Sequence, residues 1–229
     1  MTEFNSTQLR NLALVGHGKS GKTSIAENCL FKCGATNRVG KTDDGTSILD
    51  YEPEEVKRKM TIDSSLASCE WQGYKINFID TPGYPDFTGE VKSALTACES
   101  AIVVVSATSG IEIETDRAWK YAEELSLPRA IFINKMDREA MDTFELLDDI
   151  EKELGIATCP INWPIGSGKD FKGVYDRNTK KVMTFSDTLK GTKEGEQKEI
   201  DIDDPALKEE LGEDYWSQLM DEIELLDGA

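Results

Sequence analysis

Near the start of the chain, Gly16-His17-Gly18-Lys19-Ser20-Gly21-Lys22-Thr23 sets two glycines, a lysine and a threonine at the spacing G-x-x-x-x-G-K-[ST]. Glycines there let successive backbone N–H groups turn inward around a phosphate. A helix opening at Lys22 would point its N-terminus at the same anion. Lys22 would neutralise β- and γ-phosphates, and the Thr23 hydroxyl would ligate Mg²⁺. Asp80-Thr81-Pro82-Gly83-Tyr84 follows an apolar stretch. Asp80 can hold Mg²⁺ through water, and the Gly83 N–H can bond the γ-phosphate. Asn134-Lys135-Met136-Asp137 supplies base-reading groups. The Asp137 carboxylate can accept from both N1–H and the 2-amino group of guanine, a pattern adenine cannot offer. Asn134 would reach toward the base N7, and the Lys135 stem would cover a base face. An acceptor left unpaired costs about 1–3 kcal/mol, and sites of this design discriminate by about 10⁴.

Two further residues bear on the chemistry. Thr61, in Arg58-Lys59-Met60-Thr61-Ile62, can add its hydroxyl to Mg²⁺ only when a γ-phosphate is present. That would order the loop before it and make an order–disorder switch; by itself it is also an ordinary loop threonine. Tyr84 stands where a side chain that orients water is expected. A phenol is a poor general base at neutral pH, although its hydroxyl can hydrogen-bond a water. The only histidine, His17, lies in the phosphate loop. The catalytic candidates are therefore Tyr84, Lys22 and Gly83, and the ligands implied are GTP or GDP with Mg²⁺.

These motifs need strands to end on. An apolar run at residues 11–16 precedes a helical pattern at 22–33, giving strand, loop and helix in order. Residues 38–59 are polar, charged and aperiodic, and read as a long mobile loop. Residues 64–71 and 74–80 alternate around Gln72-Gly73 as an antiparallel hairpin. Continuous apolar runs at 101–106 and 129–134 suit buried parallel strands, each followed by a helical pattern, at 112–125 and 140–154. The expected fold is α/β: a doubly wound, mostly parallel sheet with one antiparallel edge hairpin, ligands sitting at the carboxyl ends of its strands. After residue 155 short strands are expected at 160–165, 171–176 and 181–185, then a charged linker and one amphipathic helix at 205–226. The expected division is a nucleotide domain at 1–155 and the start of a small α+β insert at 156–229.

Composition narrows the partners. The 229 residues carry a net charge of −18, of which the stretch from Gly191 onward holds −11, with fourteen acidic and three basic residues. A generic nucleic-acid surface would be basic, so direct nucleic-acid binding is not expected. The acidic stretch reads as a solvated, partly disordered segment or as a docking surface for a basic partner. No run of about twenty apolar residues and no basic-then-apolar leader is present, so a soluble, cytoplasmic protein without membrane contact is expected. Cys29 and Cys33 share a helical face and read as small buried apolar residues, since no second pair completes a metal or redox site.

From residue 40 to Asp137 the chain resembles the GTPase domain of translation elongation factor G, and the resemblance extends over roughly residues 10–226. Within that family it looks more like the divergent elongation-factor-G-like paralogs. The stretch from Asp44-Gly45 through Asp50-Tyr51 to Arg58 matches the family's first switch. The resemblance thus implies that Thr61 is the Mg²⁺-ligating threonine. Phe171-Lys172-Gly173-Val174-Tyr175-Asp176 is similar to the start of the family's insert. The resemblance implies a GTP-hydrolysing translation factor that acts on the ribosome, slow alone and stimulated by its partner. The helix at 207–226 would be placed to meet the ribosomal stalk protein. A GTP-gated binding module with negligible hydrolysis, or a ribosomal protection factor, are the alternatives. Three residues depart from the family pattern: Tyr84 replaces the usual histidine, Lys19 the phosphate-loop aspartate, and Lys59-Met60 the usual Gly-Ile. The Lys19 ammonium could take the place of a bound monovalent cation, or simply face solvent. Ser106-Ala107 precedes Asn134 and cannot be the family's Ser-Ala base-contacting loop, so the chain is expected to stop before the nucleotide domain is complete.

Overall fold

A computed structural model describes residues 4–185 and 197–228. The described residues form two compact units, one of Met1–Asn134 with Lys152–Gly155 and the other of Lys135–Glu151 with Ile156–Ala229.

The first unit is built on a five-stranded sheet in the order β2-β3-β1-β4-β5. Its strands are β1 (Leu9–Val15), β2 (Ser65–Trp71), β3 (Tyr74–Asp80), β4 (Ser100–Ser106) and β5 (Arg129–Asn134). β1 pairs in parallel with β3 and β4, and β4 with β5, whereas β2 runs antiparallel to β3 at the edge. The mostly parallel sheet with an edge hairpin is thus as the sequence pattern indicates. Ala13, Leu14 and Val15 are wholly buried, as are Val103 and Val104, which is why these strands read as continuous apolar runs. Side-chain alternation along β1 sends Leu12 and Leu14 to the core that Ala26 and Leu30 of α1 (Lys22–Lys32) fill with Leu49, Cys69 and Phe78. Cys29 and Cys33 pack against that core as free thiols. Burial, with the Cys33 thiol alongside, pushes Cys69 up to about 12.

Two parts of this unit depart from expectation. Residues 38–59 are not a featureless loop: turns lead into α2 (Pro53–Arg58), whose entry carries Pro53 at its first position and a capping box between Glu52 and Glu55. The helix α3 (Thr88–Thr96) was not legible, because its sequence is rich in Thr, Gly and Ser and has only a weak apolar stripe. α4 (Ile113–Glu124) packs against α3 and β4.

The second unit carries an antiparallel sheet of β6 (Asn162–Ile165), β7 (Gly173–Asp176), β8 (Lys181–Phe185) and β9 (Gln197–Asp201), in that order. α5 (Thr143–Leu154) contributes Phe144 and Leu147 to a core of Trp163, Ile165, Tyr175, Val182, Leu207, Leu211 and Leu219. The charged linker ends in a strand, β9, and its first part lies outside the described residues. The single helix expected at 205–226 is two helices, α6 (Pro205–Leu211) and α7 (Glu213–Gly228). Gly212, at φ 85, breaks them apart with a backbone conformation that other residues resist. Trp163 is buried, and its indole N–H donates to Glu222 of α7 at 2.7 Å, fixing one face of that helix inward.

Candidate functional site

The phosphate loop joins β1 to α1, and its shape follows from where its glycines sit. Gly16 has φ 133, and a Cβ there would lie 2.5 Å from the Val104 carbonyl oxygen. Gly21, at φ 105, is the residue from which α1 starts. Lys22 is buried, and its ammonium donates to the carbonyls of Gly16 and His17, both at 2.9 Å. Burial pulls its pKa down to about 8, with Asp80 the largest charge resisting. Ser20 is buried, and its hydroxyl has no hydrogen-bond partner among the described residues. Lys19 is exposed and left-handed at φ 63.

Asp80 ends β3 fully buried, and neither carboxylate oxygen makes a hydrogen bond within the described residues. Burial raises its pKa to about 7, against the pull of nearby Thr23 and Lys22. A wholly buried, orphaned carboxylate calls for a cation. Thr61 donates to Asp50 at 2.7 Å, which leaves Thr23 to donate to Thr61 at 3.1 Å. Two ligands sharing an edge of an octahedron with 2.0–2.1 Å bonds stand about 2.9 Å apart, so the two hydroxyls fit adjacent positions on Mg²⁺. Thr23, Thr61 and Asp80, far apart in sequence, are brought together here.

Gly83 is needed for closeness rather than conformation: a Cβ on it would lie 2.5 Å from the Gly18 nitrogen and 2.5 Å from the Lys22 ammonium. Its backbone therefore rests directly on the phosphate loop. Tyr84 follows in extended conformation, ahead of Pro85, with its ring over Gly18. At the carboxyl end of β5, Asn134 donates its side-chain amide to the Ser20 carbonyl at 2.8 Å, tying the end of that strand to the phosphate loop. Lys135 and Asp137 belong to the second unit. Lys135 is left-handed at φ 67, the turn closes with Arg138 N–H donating to the Lys135 carbonyl at 3.0 Å, and Asp137 is exposed.

Sequence reasoning missed the carboxylates that hold the loop before Thr61. Glu27 of α1, buried, accepts from Gly40 N–H at 3.0 Å, the Ser47 hydroxyl at 2.7 Å and Ile48 N–H at 2.7 Å. Asp50 accepts from the Thr42 and Thr61 hydroxyls, both at 2.7 Å. Glu55 accepts from Ile62 N–H at 2.9 Å and Asp63 N–H at 3.1 Å. Glu112, just before α4, sits 3.4 Å from the His17 imidazole. The only available signal was the spacing of Glu27 from the apolar Leu30 and Phe31 on α1. Glu27→Ala is expected to destabilise the protein by about 3 kcal/mol, since it strands buried donors worth about 1–3 kcal/mol each. It should also speed tryptic cleavage at Lys41 and Lys57. A urea midpoint and cleavage rate equal to wild type would show the contacts to be inconsequential.

Among known families, the one described as the elongation factor Tu GTP binding domain matches residues 7–224. Peptide chain release factor 3 of Cyanothece sp. is 38% identical over 223 residues, 96% of this chain and 41% of that protein. The proteins of the same name from Trichormus variabilis and Symbiobacterium thermophilum are each 36% identical over 224 residues, 96% of this chain and 42% of theirs. A crystal structure from Thermus thermophilus superposes with a TM-score of 0.78 at 34% identity, covering 94% of this chain and 31% of that one. The chain thus spans about two-fifths of the length of these curated relatives. Their names are those of a release factor, so the similarity supports the wider family and not the elongation factor G subgroup in particular.

Proposed function

The chain belongs to the family of the elongation factor Tu GTP-binding domain, and from that premise we propose that it binds GTP and GDP with Mg²⁺, hydrolyses GTP slowly alone, and serves translation on the ribosome in the cytoplasm. The observation that carries this reading is the meeting of Thr23, Thr61 and the orphaned Asp80 beside Lys22. Phosphoryl transfer depends mostly on positioning and charge neutralisation. Mg²⁺, when bound, would neutralise phosphate charge. Lys22 would exchange its two loop carbonyls for phosphate oxygens, and the Gly83 N–H would meet the γ-phosphate. Residues 1–155 would form the nucleotide domain and residues 156–229 a small α+β insert, whose acidic helices α6 and α7 would meet the stalk protein. Relatives named peptide chain release factor 3 favour release of the peptide chain as the step served, over an elongation-factor-G-like or ribosomal protection role. Among the described residues, no helix is long and apolar enough to cross a membrane.

A second reading, a GTP-gated module with negligible hydrolysis, draws support from Tyr84, since a phenol is a poor general base at neutral pH. GTP turnover of the intact protein with and without ribosomes separates the two. Stimulated turnover is expected. In Tyr84→Phe it should fall about 10²-fold, the low end for a group positioned on a reacting water. An unchanged rate would mean that the hydroxyl has no positioning role, and tight GTP binding without turnover on ribosomes would favour the gated module.

A further inference from the structure

Gly16 and Gly21 are glycines for a backbone reason: both have positive φ. Gly18 does not share that conformation, so its lack of a side chain must answer to something else. A Cβ on Gly18 would lie 2.8 Å from Cζ, 3.0 Å from Cε1 and 3.1 Å from Cε2 of Tyr84. No other group comes as close to that position. The Tyr84 ring thus lies on the bare face of Gly18, with its far edge, next to the hydroxyl, pressed closest. The approach is held from the other side too. Gly83 rests on the Gly18 nitrogen, and Tyr84 is extended at φ −117, ψ 146, where the following proline favours it. The backbone at 83–84 has little freedom to carry the ring elsewhere.

We propose that Gly18 is a positioning residue for Tyr84: the missing side chain is a seat that sets where the phenol hydroxyl stands over the phosphate loop. Residues 18 and 84 therefore form a matched pair, a small residue in the loop for a long ring in the second motif. The role deepens the GTP-hydrolase reading and rests on it for its catalytic meaning, whereas the seat itself needs no nucleotide. Its size dependence follows from the contacts. Alanine at 18 meets Cζ at 2.8 Å, and ordinary contact begins at 3.4 Å, so the ring must retreat by about 0.6 Å. Histidine at 84 has no atom at the phenol Cζ position, where the contact is closest, so alanine at 18 has less to displace. Misplacing a reacting group by about 1 Å can lower a rate 10²-fold, so a retreat of this size is expected to lower turnover about tenfold.

The test labels the tyrosines of the intact protein with 3-fluorotyrosine and assigns Tyr84 by the resonance lost in Tyr84→Phe. A seated ring gives a fluorine shift away from that of free fluorotyrosine, and Gly18→Ala moves it. GTP turnover is then compared across Gly18→Ala, Tyr84→His and the double variant. The expected result is a tenfold fall from Gly18→Ala when Tyr84 is present and a clearly smaller fall in the Tyr84→His background. The proposal is overturned if Gly18→Ala has the same effect in both backgrounds, or leaves the Tyr84 resonance in place. Should Gly18→Ala not fold, a wild-type Tyr84 resonance at the free fluorotyrosine position overturns it as well. Absence of GTP binding with a shifted resonance would instead remove the hydrolase reading and leave the seat standing.

Discussion

Replacing Asp137 by asparagine is expected to weaken GTP binding by about 10⁴-fold, the discrimination shown by sites built to hydrogen-bond a particular group. The carboxylate would offer two acceptors to guanine, one for N1–H and one for the 2-amino group. Asparagine keeps one acceptor and turns the other into a donor, which faces the guanine amino group donor to donor. Xanthine carries a carbonyl at the same place, so the variant should bind xanthosine triphosphate better than the wild type does. Asp137 is exposed in its turn, and no buried contact is lost with the change, so the thermal midpoint should stay put. Competition of labelled GDP by GTP and xanthosine triphosphate measures both affinities. Equal GTP affinity in the two proteins would remove Asp137 from the base site.

Lys22→Ala is expected to weaken both GDP and GTP, and GTP more, by about 30- to 5,000-fold. The range corresponds to the 2–5 kcal/mol lost when one partner of a buried hydrogen-bonded charge pair is truncated. Lys22 is held at the loop carbonyls of Gly16 and His17, so the side chain that must reach the phosphates is already inside the loop. Its loss also leaves Asp80 without its nearest cation, in a place where that carboxyl is fully buried. Titration calorimetry with each nucleotide in excess Mg²⁺ reads the change. A loss under about threefold would place the phosphates away from Lys22.

Where local pattern and tertiary demand agree, the sequence was readable. The helix after the phosphate loop starts at Lys22, the hairpin strands turn at Gln72-Gly73, and the strand before Asn134 begins at Arg129. Each is framed by a glycine turn or an unbroken apolar run. α3 escaped because Thr, Gly and Ser give a helix little propensity, and its stability comes from packing on α4. β9 escaped because its Gln197–Asp201 sequence is almost wholly polar, as an edge strand can be. The candidate site divides the same way. The residues expected to meet phosphate, metal and base lie mostly in contiguous motifs and could be proposed from the sequence, whereas the carboxylates of Glu27, Asp50 and Glu55 work across gaps in the chain. Asp50 and Glu55, in a charged stretch, look like solvated surface until the hydroxyls and amides they accept from are known. Tyr84 was visible as a departure, but the reason for a glycine at 18 was not, since it lies in another motif.

The grip of Glu27 on Gly40, Ser47 and Ile48 changes what kind of device the segment before Thr61 can be. A strand of chain free from the end of α1 onward would behave as a slack tether, searching a wide volume for the metal. Pinned at Ile48, and carrying α2 and the Thr61–Asp50 hydrogen bond beyond it, the segment keeps little slack, and each halving of a flexible loop lowers its closure free energy by about 0.6 kcal/mol. The segment would then act as a short lever pinned at Ile48 rather than as a free tether.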